Sequence, residues 1–334
     1  MARRAVRPAA PTLKMVAAAA GVSASTVSRV YSHPHLLRAD TVERVRKVAD
    51  DLGYVPHFTA RALITGRLST IGVVVPDIAN PFFPPVIRAV QARAGEVGVG
   101  TLLGDTDEDP VKEESVLLAL QQRTDGVVLV SSRMPEPRIQ KMAAGHPLVL
   151  VNRDVEGVDR VLIETTLGMR QAVEHLARLG HRRIAYLGGP ESSWSNGERA
   201  AAVSDCAGRL GIEVISLGPH RPEHEEGRRA AAAVLTAGVT GVLAFDDVLA
   251  QGLLAGLVEA GARVPADVSL VGCDDILAVR TVPPLSTVHG PSMEAGRLAV
   301  ELLLAKIEGQ ATDPQAVRVP APFLDRATTG PAPG

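Results

Sequence analysis

Hydrophobic positions follow two different rhythms along this chain, and the change comes after Ser69. Before that point, apolar residues recur at three- and four-residue spacing, which predicts a helix with one apolar face: Val42, Val45, Val48, Ala49 and Leu52. Beyond it, continuous β-branched runs such as Ile71 to Val75 alternate with stretches of helical periodicity. A strand without polar positions is typical of a parallel sheet that is buried on both faces. The pattern therefore predicts a small helical segment followed by a much larger α/β body.

Three helices are predicted in the first segment. They cover Lys14 to Ala20, Ser25 to Tyr31 and Thr41 to Leu52. Gly21 follows the first helix at the position where a left-handed helix stop favours a residue without Cβ. Ser23 stands where a hydroxyl would cap the second helix. Two short helices joined by a tight, glycine-containing turn predict a helix-turn-helix unit, whose second helix enters the DNA major groove.

Predicted strands and helices then alternate in two successive sets. The predicted strands are residues 71–75, 100–103, 126–130 and 148–152 in the first set, and residues 183–187, 213–216, 241–244 and 268–271 in the second. The predicted helices between them are residues 84–97, 110–122, 135–144, 197–210, 222–237 and 248–260. Such alternation predicts parallel sheets with right-handed crossovers. A late helix over Met293 to Glu308 and a last strand over Ala316 to Val319 complete the two sets.

Composition restricts the classes of protein to which the chain can belong. Its 334 residues are too many for one ordinary core and suit two or three domains. The hydrophobic content is 46%, yet no apolar run reaches the ~18 residues that a membrane span needs. Residues 1–11 carry three arginines without an apolar stretch behind them, which predicts a disordered basic arm rather than a signal peptide. Two cysteines, Cys206 and Cys273, argue against a disulfide framework and suit a reducing cytoplasm.

Charge is distributed unevenly between the two segments. Up to Gly66 the chain has ten basic and four acidic side chains, a net charge of +6, whereas the remainder carries −8. A small basic segment on an acidic body fits a polyanionic partner for the small segment alone. The alternative to a polyanionic partner is that the basic side chains form a face that contacts only solvent.

The motif from Thr12 to Val30 reads T-x-K-x-V-A-x-x-A-G-V-S-x-x-T-V-S-R-V, and E-R-V, D-L-G-Y-x-P and A-R-x-L follow it. This pattern resembles the amino-terminal signature of the lactose-repressor (LacI/GalR) family. The resemblance continues to about Asp325 and so covers nearly the whole chain. It implies a small all-α helix-turn-helix head and an α/β body with the two-lobed fold of periplasmic binding proteins. In that fold the chain crosses between the lobes three times.

Domain boundaries also follow from the resemblance. It implies a helix-turn-helix DNA-binding domain over residues 12–56, a hinge helix and linker over residues 57–68, and an effector-binding and dimerisation domain over residues 69–327. One lobe would consist of residues 69–165 and 291–310, and the other of residues 166–290 and 311–327.

The second helix of the head carries the candidate DNA contacts. The first residues of a recognition helix reach base edges, and the resemblance places the specificity pair on Ala24 and Ser25. It places a base or phosphate contact on Arg29, one turn later. Hydroxyl groups that are positioned to bind phosphate belong to Ser23, Thr26 and Ser28. The alternative for Thr26 is packing within the head, and Val27 is expected to pack there.

The segment after the head resembles a hinge helix that folds only on operator DNA. In the family, a leucine from each of two hinges opens a central base step in the minor groove. By motif that residue is Leu63, with Ala60 beside it. Unstacking the base step costs a few kcal/mol, and additional contacts between the protein and the bent DNA offset this cost. The alternative for Leu63 is ordinary core packing.

Ligands of such two-lobed sheets bind in the crevice where the carboxyl ends of the strands meet. Polar and aromatic side chains that follow predicted strands are therefore the candidate effector-binding residues. They are Phe83, Asn152, Arg153, Trp194, Arg199, Asp246 and Asp274. The two acids would accept bonds from sugar hydroxyls. Arg199 matches an arginine that bonds effector oxygens in the family.

Three of these assignments have structural alternatives. Phe83 is equally suited to packing inside its lobe. Arg199 could form a surface salt bridge with Glu198 or Asp205, and Trp194 could simply cover the rim of the crevice. Positions that depart from the usual family residue are Arg38, His57, Glu164, Asp246, Cys273 and Gly290.

The sequence contains no recognisable cofactor or catalytic motif. It has no GxGxxG, no Walker-type loop and no G-x-S-x-G elbow, so no cofactor and no enzyme activity are expected. His33 and His35 lack the further ligands of a zinc site. His220 and His224, with Glu225 and Glu226, have a metal-like spacing, but Pro222 is expected to start a helix between them, which favours a solvated face.

Three classes of function remain: an effector-regulated transcription factor, a solute-binding protein of a transport system, and an enzyme on an α/β scaffold. A transport protein would share the body but not the head. The sequence favours a homodimeric repressor that binds pseudo-palindromic double-stranded operator DNA and a small polar effector of the sugar class, with no membrane partner. Residues after Arg326 read ATTGPAPG and hold no leucine heptad for a tetramer, so a dimer is expected.

Overall fold

The computed structural model describes residues 11–32, 36–54, 67–310 and 313–334 of the chain. The chain divides into two compact units, Met1–Ser69 and Thr70–Gly334. The first unit is called the head and the second the body. Each has a hydrophobic core of its own.

Three helices form the described part of the head. They are α1 (Leu13–Ala20), α2 (Ala24–Ser32) and α3 (Ala39–Asp51). The backbone of Gly21 is left-handed, with φ at 67°, and ends α1 as glycine allows without strain. Ser23 Oγ accepts a hydrogen bond from the Thr26 amide at 3.1 Å and so caps α2. Both features confirm the predicted helix-turn-helix.

The core of the head lies where the three helices meet. Val16, Val27, Val30 and Val45 are completely buried there. Val27 and Val30 lie three residues apart in α2 and so share its inward apolar face, which leaves the other face of that helix for a partner. The expected packing of Val27 inside the head is confirmed.

The start of α3 differs from the prediction. The helix begins at Ala39, two residues earlier than Thr41, and Arg38 is its N-cap. The departure from the family residue at Arg38 therefore neither moves the cap to Asp40 nor delays the start of the helix. Asp40 lies in the first turn, where its Oδ1 accepts the Thr41 amide at 2.7 Å. A carboxylate there is favourable because the first turn exposes amide groups.

The first lobe of the body is a six-stranded sheet, counted over the described residues, with helices on its faces. Its strands are β1 (Thr70–Val75), β2 (Gly100–Asp105), β3 (Gly126–Val130), β4 (Leu148–Val151), β5 (Asp159–Glu164) and β11 (Ala316–Pro320). Its helices are α4 (Phe83–Glu96), α5 (Pro110–Gln121), α6 (Glu136–Gly145) and α11 (Ser292–Ile307). The strand order is β11-β5-β4-β3-β1-β2, and every pairing is parallel.

The second lobe repeats this plan, again with six strands in the described part of the chain. Its strands are β6 (Arg183–Leu187), β7 (Glu213–Leu217), β8 (Gly241–Ala244), β9 (Ser269–Asp274), β10 (Ser286–His289) and β12 (Phe323–Leu324). Its helices are α7 (Thr165–Arg178), α8 (Trp194–Arg209), α9 (His224–Ala237) and α10 (Asp247–Glu259). The order is β12-β10-β9-β8-β6-β7, and only the short β10–β12 pair is antiparallel among these pairings.

The chain passes between the lobes three times, as expected: after Glu164, after His289 and after Pro320. One assignment of residues to lobes is wrong, however. Residues 311–327 were expected in the second lobe, but β11 pairs with β5 in the first sheet, from Ala316 opposite Arg160 to Pro320 opposite Glu164. The predicted two-lobed α/β fold is otherwise confirmed.

Candidate functional site

The solvent-facing side of α2 carries the predicted base-contacting residues. Ala24, Ser25 and Arg29 are exposed, whereas Val27 and Val30 on the opposite side are buried. This division follows from the helical period, because residues three apart share a face and their neighbours do not. The arrangement leaves the methyl, hydroxyl and guanidinium groups of the exposed face accessible to a partner.

Hydroxyl groups at the start of α2 form a small network. Ser23 Oγ lies 2.8 Å from Ser25 Oγ and 2.8 Å from Thr26 Oγ1, in addition to its bond with the Thr26 amide. Thr26 and Ser28 are half-buried. Ser23 therefore acts as a helix cap in this structure, and any contact with phosphate would share its hydroxyl. The hinge candidates Ala60 and Leu63, together with His57, lie outside the described residues.

A crevice lies between the two lobes of the body, at the carboxyl ends of the strands. Its volume is about 30 Å³, which is close to the space of one water molecule and far below that of a typical ligand site. The lining residues are Asn80, Phe82, Phe83, Glu108, Ser131, Arg133, Asn152, Ser193, Ser195, Arg199, Pro222, Phe245, Asp246 and Asp274. The lobes are closed upon each other, so that a ligand of sugar size requires them to separate.

Five of the seven predicted effector-binding residues line this crevice: Phe83, Asn152, Arg199, Asp246 and Asp274. The other two, Arg153 and Trp194, are not among the lining residues. Arg153 turns toward the first lobe, where its Nη2 donates to the carbonyl oxygen of Met134 at 3.3 Å. Trp194 is the first residue of α8 and is half-buried, whereas its neighbours Ser193 and Ser195 do face the crevice.

Arg199 is held by three different partners. Its Nε donates to Thr165 Oγ1 at 3.1 Å, and its Nη2 to Asp274 Oδ1 at 3.3 Å. Its Nη1 donates to the carbonyl oxygen of Phe245, and the guanidinium carbon lies 5.0 Å from the centre of the Phe245 ring. Only 3% of the residue is exposed, which rules out the surface salt bridge with Glu198 or Asp205 that was the alternative. The guanidinium is therefore a fixed part of the crevice wall.

Asp274 is the acidic partner of Arg199 and ends β9. Its φ of 109° lies in the left-handed region, which is costly for any residue with a Cβ. Burial raises the pKa of Asp274 to about 7, although Arg199 acts in the opposite direction. The strained backbone and the buried carboxyl group show that the surrounding fold fixes this side chain at the crevice.

Asp246 connects the two lobes. Its Oδ1 accepts the Leu249 amide at 2.8 Å and caps α10, while its Oδ2 accepts Nδ2 of Asn80 at 3.0 Å. Asn80 belongs to the first lobe and is also buried, and its Oδ1 accepts the Phe82 amide at 3.0 Å. Burial raises the pKa of Asp246 above its usual value. The bond between Asn80 and Asp246 is a buried polar contact that exists only while the lobes are closed.

An acidic and basic cluster forms the wall of the crevice in the first lobe, and the sequence analysis did not find it. Arg133 Nε and Nη2 donate to the two carboxylate oxygens of Glu108, the second at 3.0 Å, and Nη1 donates to the Ser131 carbonyl at 2.8 Å. Behind them Glu113 accepts the Arg133 amide at 2.8 Å and the hydroxyl of Ser132. Burial raises the pKa of Glu113. Both Glu108 and Arg133 follow strand ends, which is the signal that could have identified them.

Comparison with known proteins covers both parts of the chain. Residues 12–57 match the bacterial regulatory proteins of the lacI family, and residues 173–329 match the periplasmic binding protein-like domain. The ribose operon repressor of Halalkalibacterium halodurans is 32% identical over 323 residues, which are 95% of this chain and 97% of the relative. The chain belongs to the LacI family. The resemblance seen in the sequence is thereby confirmed.

Solved structures of the LacI family agree with this fold. The lac repressor dimer bound to operator and the anti-inducer ONPF has a TM-score of 0.86 and 28% identity, over 96% of this chain and 99% of that chain. The complex of the transcriptional regulator CelR with cellobiose has a TM-score of 0.71 and 31% identity, over 95% of this chain and 99% of that chain. Among the described residues, no helix is long and apolar enough to cross a membrane. Nor do His, Cys, Asp and Glu side chains of the described segments form a group that could hold a metal ion.

Positions that depart from the usual LacI-family residue have local explanations here. Gly290 lies against the end of β9, and an added Cβ would lie 2.9 Å from Asp274 Cα, so that a larger residue would require the backbone to shift. Cys273 is completely buried, and burial raises the pKa of its thiol. Glu164 precedes α7 and pairs with Arg318 at 3.3 Å, away from the crevice lining. None of these three residues lines the crevice, whereas Asp246, which also departs from the usual family residue, does.

Proposed function

We propose that this protein is a DNA-binding transcriptional regulator of the cytoplasm. It acts as a repressor, binds a pseudo-palindromic operator as a homodimer, and responds to a small polar effector of the sugar class. The observation that carries the proposal is the combination of two sites in one chain. These are the exposed residues Ala24, Ser25 and Arg29 on a helix-turn-helix, and a polar crevice between two lobes.

Support for the DNA contacts comes from the charge of the head. The segment up to Gly66 carries +6 and the remainder −8, which favours binding of a polyanion by the head alone. The relatives are named repressors, and the lac repressor structure contains operator DNA. A transport protein would have no use for the segment that matches the lacI family over residues 12–57.

Exposed apolar side chains support a homodimer. Leu102 and Leu103 are 38% and 42% exposed on β2, which is an edge strand of its sheet. Val282 of the second lobe is 90% exposed. Edge strands and exposed apolar side chains are costly in a monomer and are typical of interfaces between protein chains.

The effector assignment is supported by the residues of the crevice. Carboxylates of Asp246 and Asp274 are hydrogen-bond acceptors for hydroxyl groups, and Phe83 offers a ring edge beside Phe82 at 5.2 Å between centroids. Solved LacI-family structures contain cellobiose and ribose. We therefore assign sugars, rather than peptides or metal ions, as the class of effector.

The deciding experiment selects operator sequences from random duplex DNA with the full-length protein. It then measures affinity for the selected duplex by fluorescence anisotropy at several salt concentrations. We expect a pseudo-palindromic sequence, and affinity that falls steeply as salt rises because counterions are released. A protein that prefers no sequence at any salt concentration would contradict the proposal.

A companion variant tests the link between the crevice and DNA binding. Arg199→Ala leaves the buried Asp274 without its guanidinium partner, which typically costs about 3–5 kcal/mol of stability. We expect the response of operator binding to sugars to be lost while operator binding itself remains. A normal response would reject the assignment of Arg199 to the effector site.

A further inference from the structure

The arginines of the crevice are already committed to partners within the protein. Each of the three nitrogens of Arg133 donates a hydrogen bond, two to Glu108 and one to the Ser131 carbonyl. Each nitrogen of Arg199 does the same, toward Thr165, Phe245 and Asp274. The side chains of Arg133 and Glu108 are only 3% and 8% exposed, so solvent does not compete for their pairing. Each guanidinium is therefore already paired with a carboxylate, Arg133 with Glu108 and Arg199 with Asp274.

Helix N-termini are the other usual site for an anion, and here their amide groups are occupied as well. Asp246 caps α10 through the Leu249 amide, and Ser193 caps α8 through the Asn196 amide at 3.3 Å. Asn80 accepts the Phe82 amide immediately before α4. The three side chains that accept these amide groups line the crevice. An incoming phosphate would therefore have to displace a carboxylate, a hydroxyl or an amide that is already bonded.

The next basic side chain along the crevice is not available either. Arg221 precedes the lining residue Pro222, and it donates to Asp107 at 2.8 Å and to Glu223 at 2.8 Å. The charged residues of the lining are three acids and two arginines: Glu108, Asp246, Asp274, Arg133 and Arg199. A phosphate group would therefore enter a lining with more acidic than basic side chains, in which both arginines are already paired with acids.

We propose that the crevice selects an uncharged, hydroxyl-bearing ligand and excludes the phosphate ester of the same ligand. The proposal rests on the assignment of the crevice as the effector site. Glu108 is the specificity-determining residue, because its carboxylate forms a bidentate pair with Arg133. This guanidinium of the first-lobe wall is thereby neutralised, whereas without Glu108 it could bind phosphate. Hydroxyl groups, by contrast, donate to the carboxylate oxygens of Asp246 and Asp274 without adding negative charge.

The test measures binding to the full-length protein by isothermal titration calorimetry with matched pairs of ligands. The probes are D-ribose, D-glucose, D-fructose, adenosine and cytidine, each beside its terminal phosphate monoester. We expect at least one neutral member to bind, and its ester to bind about tenfold more weakly or worse. The proposal is overturned if an ester binds as tightly as its neutral partner, or if no neutral member binds. Operator affinity of the same preparation shows separately whether the regulatory function stands.

A pair of variants tests the role of Glu108 directly. Glu108→Gln keeps the shape of the side chain but removes the charge that holds Arg133. The ratio of the affinity for the sugar to the affinity for its ester should therefore fall by about fivefold. Glu114→Gln removes the same charge from a residue that pairs with Arg138 at 3.4 Å outside the crevice lining, and it should leave the difference unchanged. If both variants change the affinity ratio equally, or if Glu108→Gln does not change it, Glu108 is not the specificity-determining residue. The ligand pairs measured on the unaltered protein test the exclusion independently of how the variants fold.

Discussion

Replacing Asn80 with alanine should open the crevice, because it removes the buried hydrogen bond between the lobes. Asn80 Nδ2 donates to Asp246 Oδ2 at 3.0 Å, and the two residues are 7% and 1% exposed. When the lobes separate, water can replace the lost partner of Asp246. In the closed variant, no such replacement is available to the buried carboxyl group. The substitution therefore acts on the closed state rather than on the open one.

The magnitude follows from the kind of bond that is lost. A hydrogen bond to a charged group contributes about 1.5–3 kcal/mol, and a buried group left without its partner is penalised on the same scale. At about 1.4 kcal/mol for each factor of ten, the equilibrium between closed and open lobes should shift about 10- to 100-fold toward the open form. A sugar-sized ligand, which requires the lobes to separate, should bind more tightly, by at most the same factor.

Hydrogen–deuterium exchange of the full-length protein measures this shift. Peptides covering residues 77–83 and 245–250 contain the two ends of the bond, and their exchange should become faster in Asn80→Ala. A double-mutant cycle with Asp246→Ala isolates the pair from the local bonds of each residue to Phe82 and Leu249.

Arg221→Ala is the matched control, because it removes a contact between the lobes that is exposed to solvent. Arg221 pairs with Asp107 at 2.8 Å, but the two side chains are 53% and 67% exposed, and exposed ion pairs contribute about 0–1 kcal/mol. Its effect on exchange should therefore be small. The reasoning is refuted if Arg221→Ala opens the crevice as much as Asn80→Ala does, or if Asn80→Ala leaves exchange unchanged.

Three further predictions concern pH, sequence preference and DNA bending. Burial raises the pKa of Asp274 from near 3.8 to about 7, so the folded state binds the proton more tightly than the unfolded state and loses stability as pH rises across that range. Asp274→Asn should flatten this part of the pH profile of stability measured by urea unfolding, and an unchanged profile would contradict the prediction. Exchanging Ala24 and Ser25 should change the operator sequence selected from random DNA. If the selected sequence stays the same, neither residue contacts the bases. Leu63→Ala should reduce operator bending in gel-shift assays while sugar binding stays intact. Unchanged bending would refute the prediction that Leu63 opens a central base step.

Helices and strands were predictable where the hydrophobic period was long and clear. The head and the alternating strands of the body follow from that period, and several ends agree within one or two residues. Short segments were missed, including β5, β10 and β12, because a few residues carry too little periodicity to separate a strand from a loop. The sheet to which β11 belongs depends on tertiary contacts that its own five residues do not encode.

The crevice was predictable to the extent that each residue follows a strand on its own. Asp246 and Asp274 were found in this way, whereas Arg199 lies inside α8 and was found through the family resemblance. Glu108 and Arg133 were missed because they meet only through the order of the sheet: β2 and β3 lie on opposite sides of β1, so the loops after them converge. Trp194 was misplaced because α8 begins three residues earlier than Gly197, so that Trp194 lies in its first turn and not in a loop.

The three passages of the chain between the lobes determine when the protein can finish folding on the ribosome. The first lobe is begun early in synthesis, yet α11 and β11 reach it from residues 292–320, after most of the second lobe has been made. Until those residues emerge, β5 pairs with β4 but its other side remains an open edge of the sheet, which is an aggregation hazard. A nonsense codon near Gly290 would therefore damage the lobe translated first, and neither lobe can be produced alone by simple truncation of the gene.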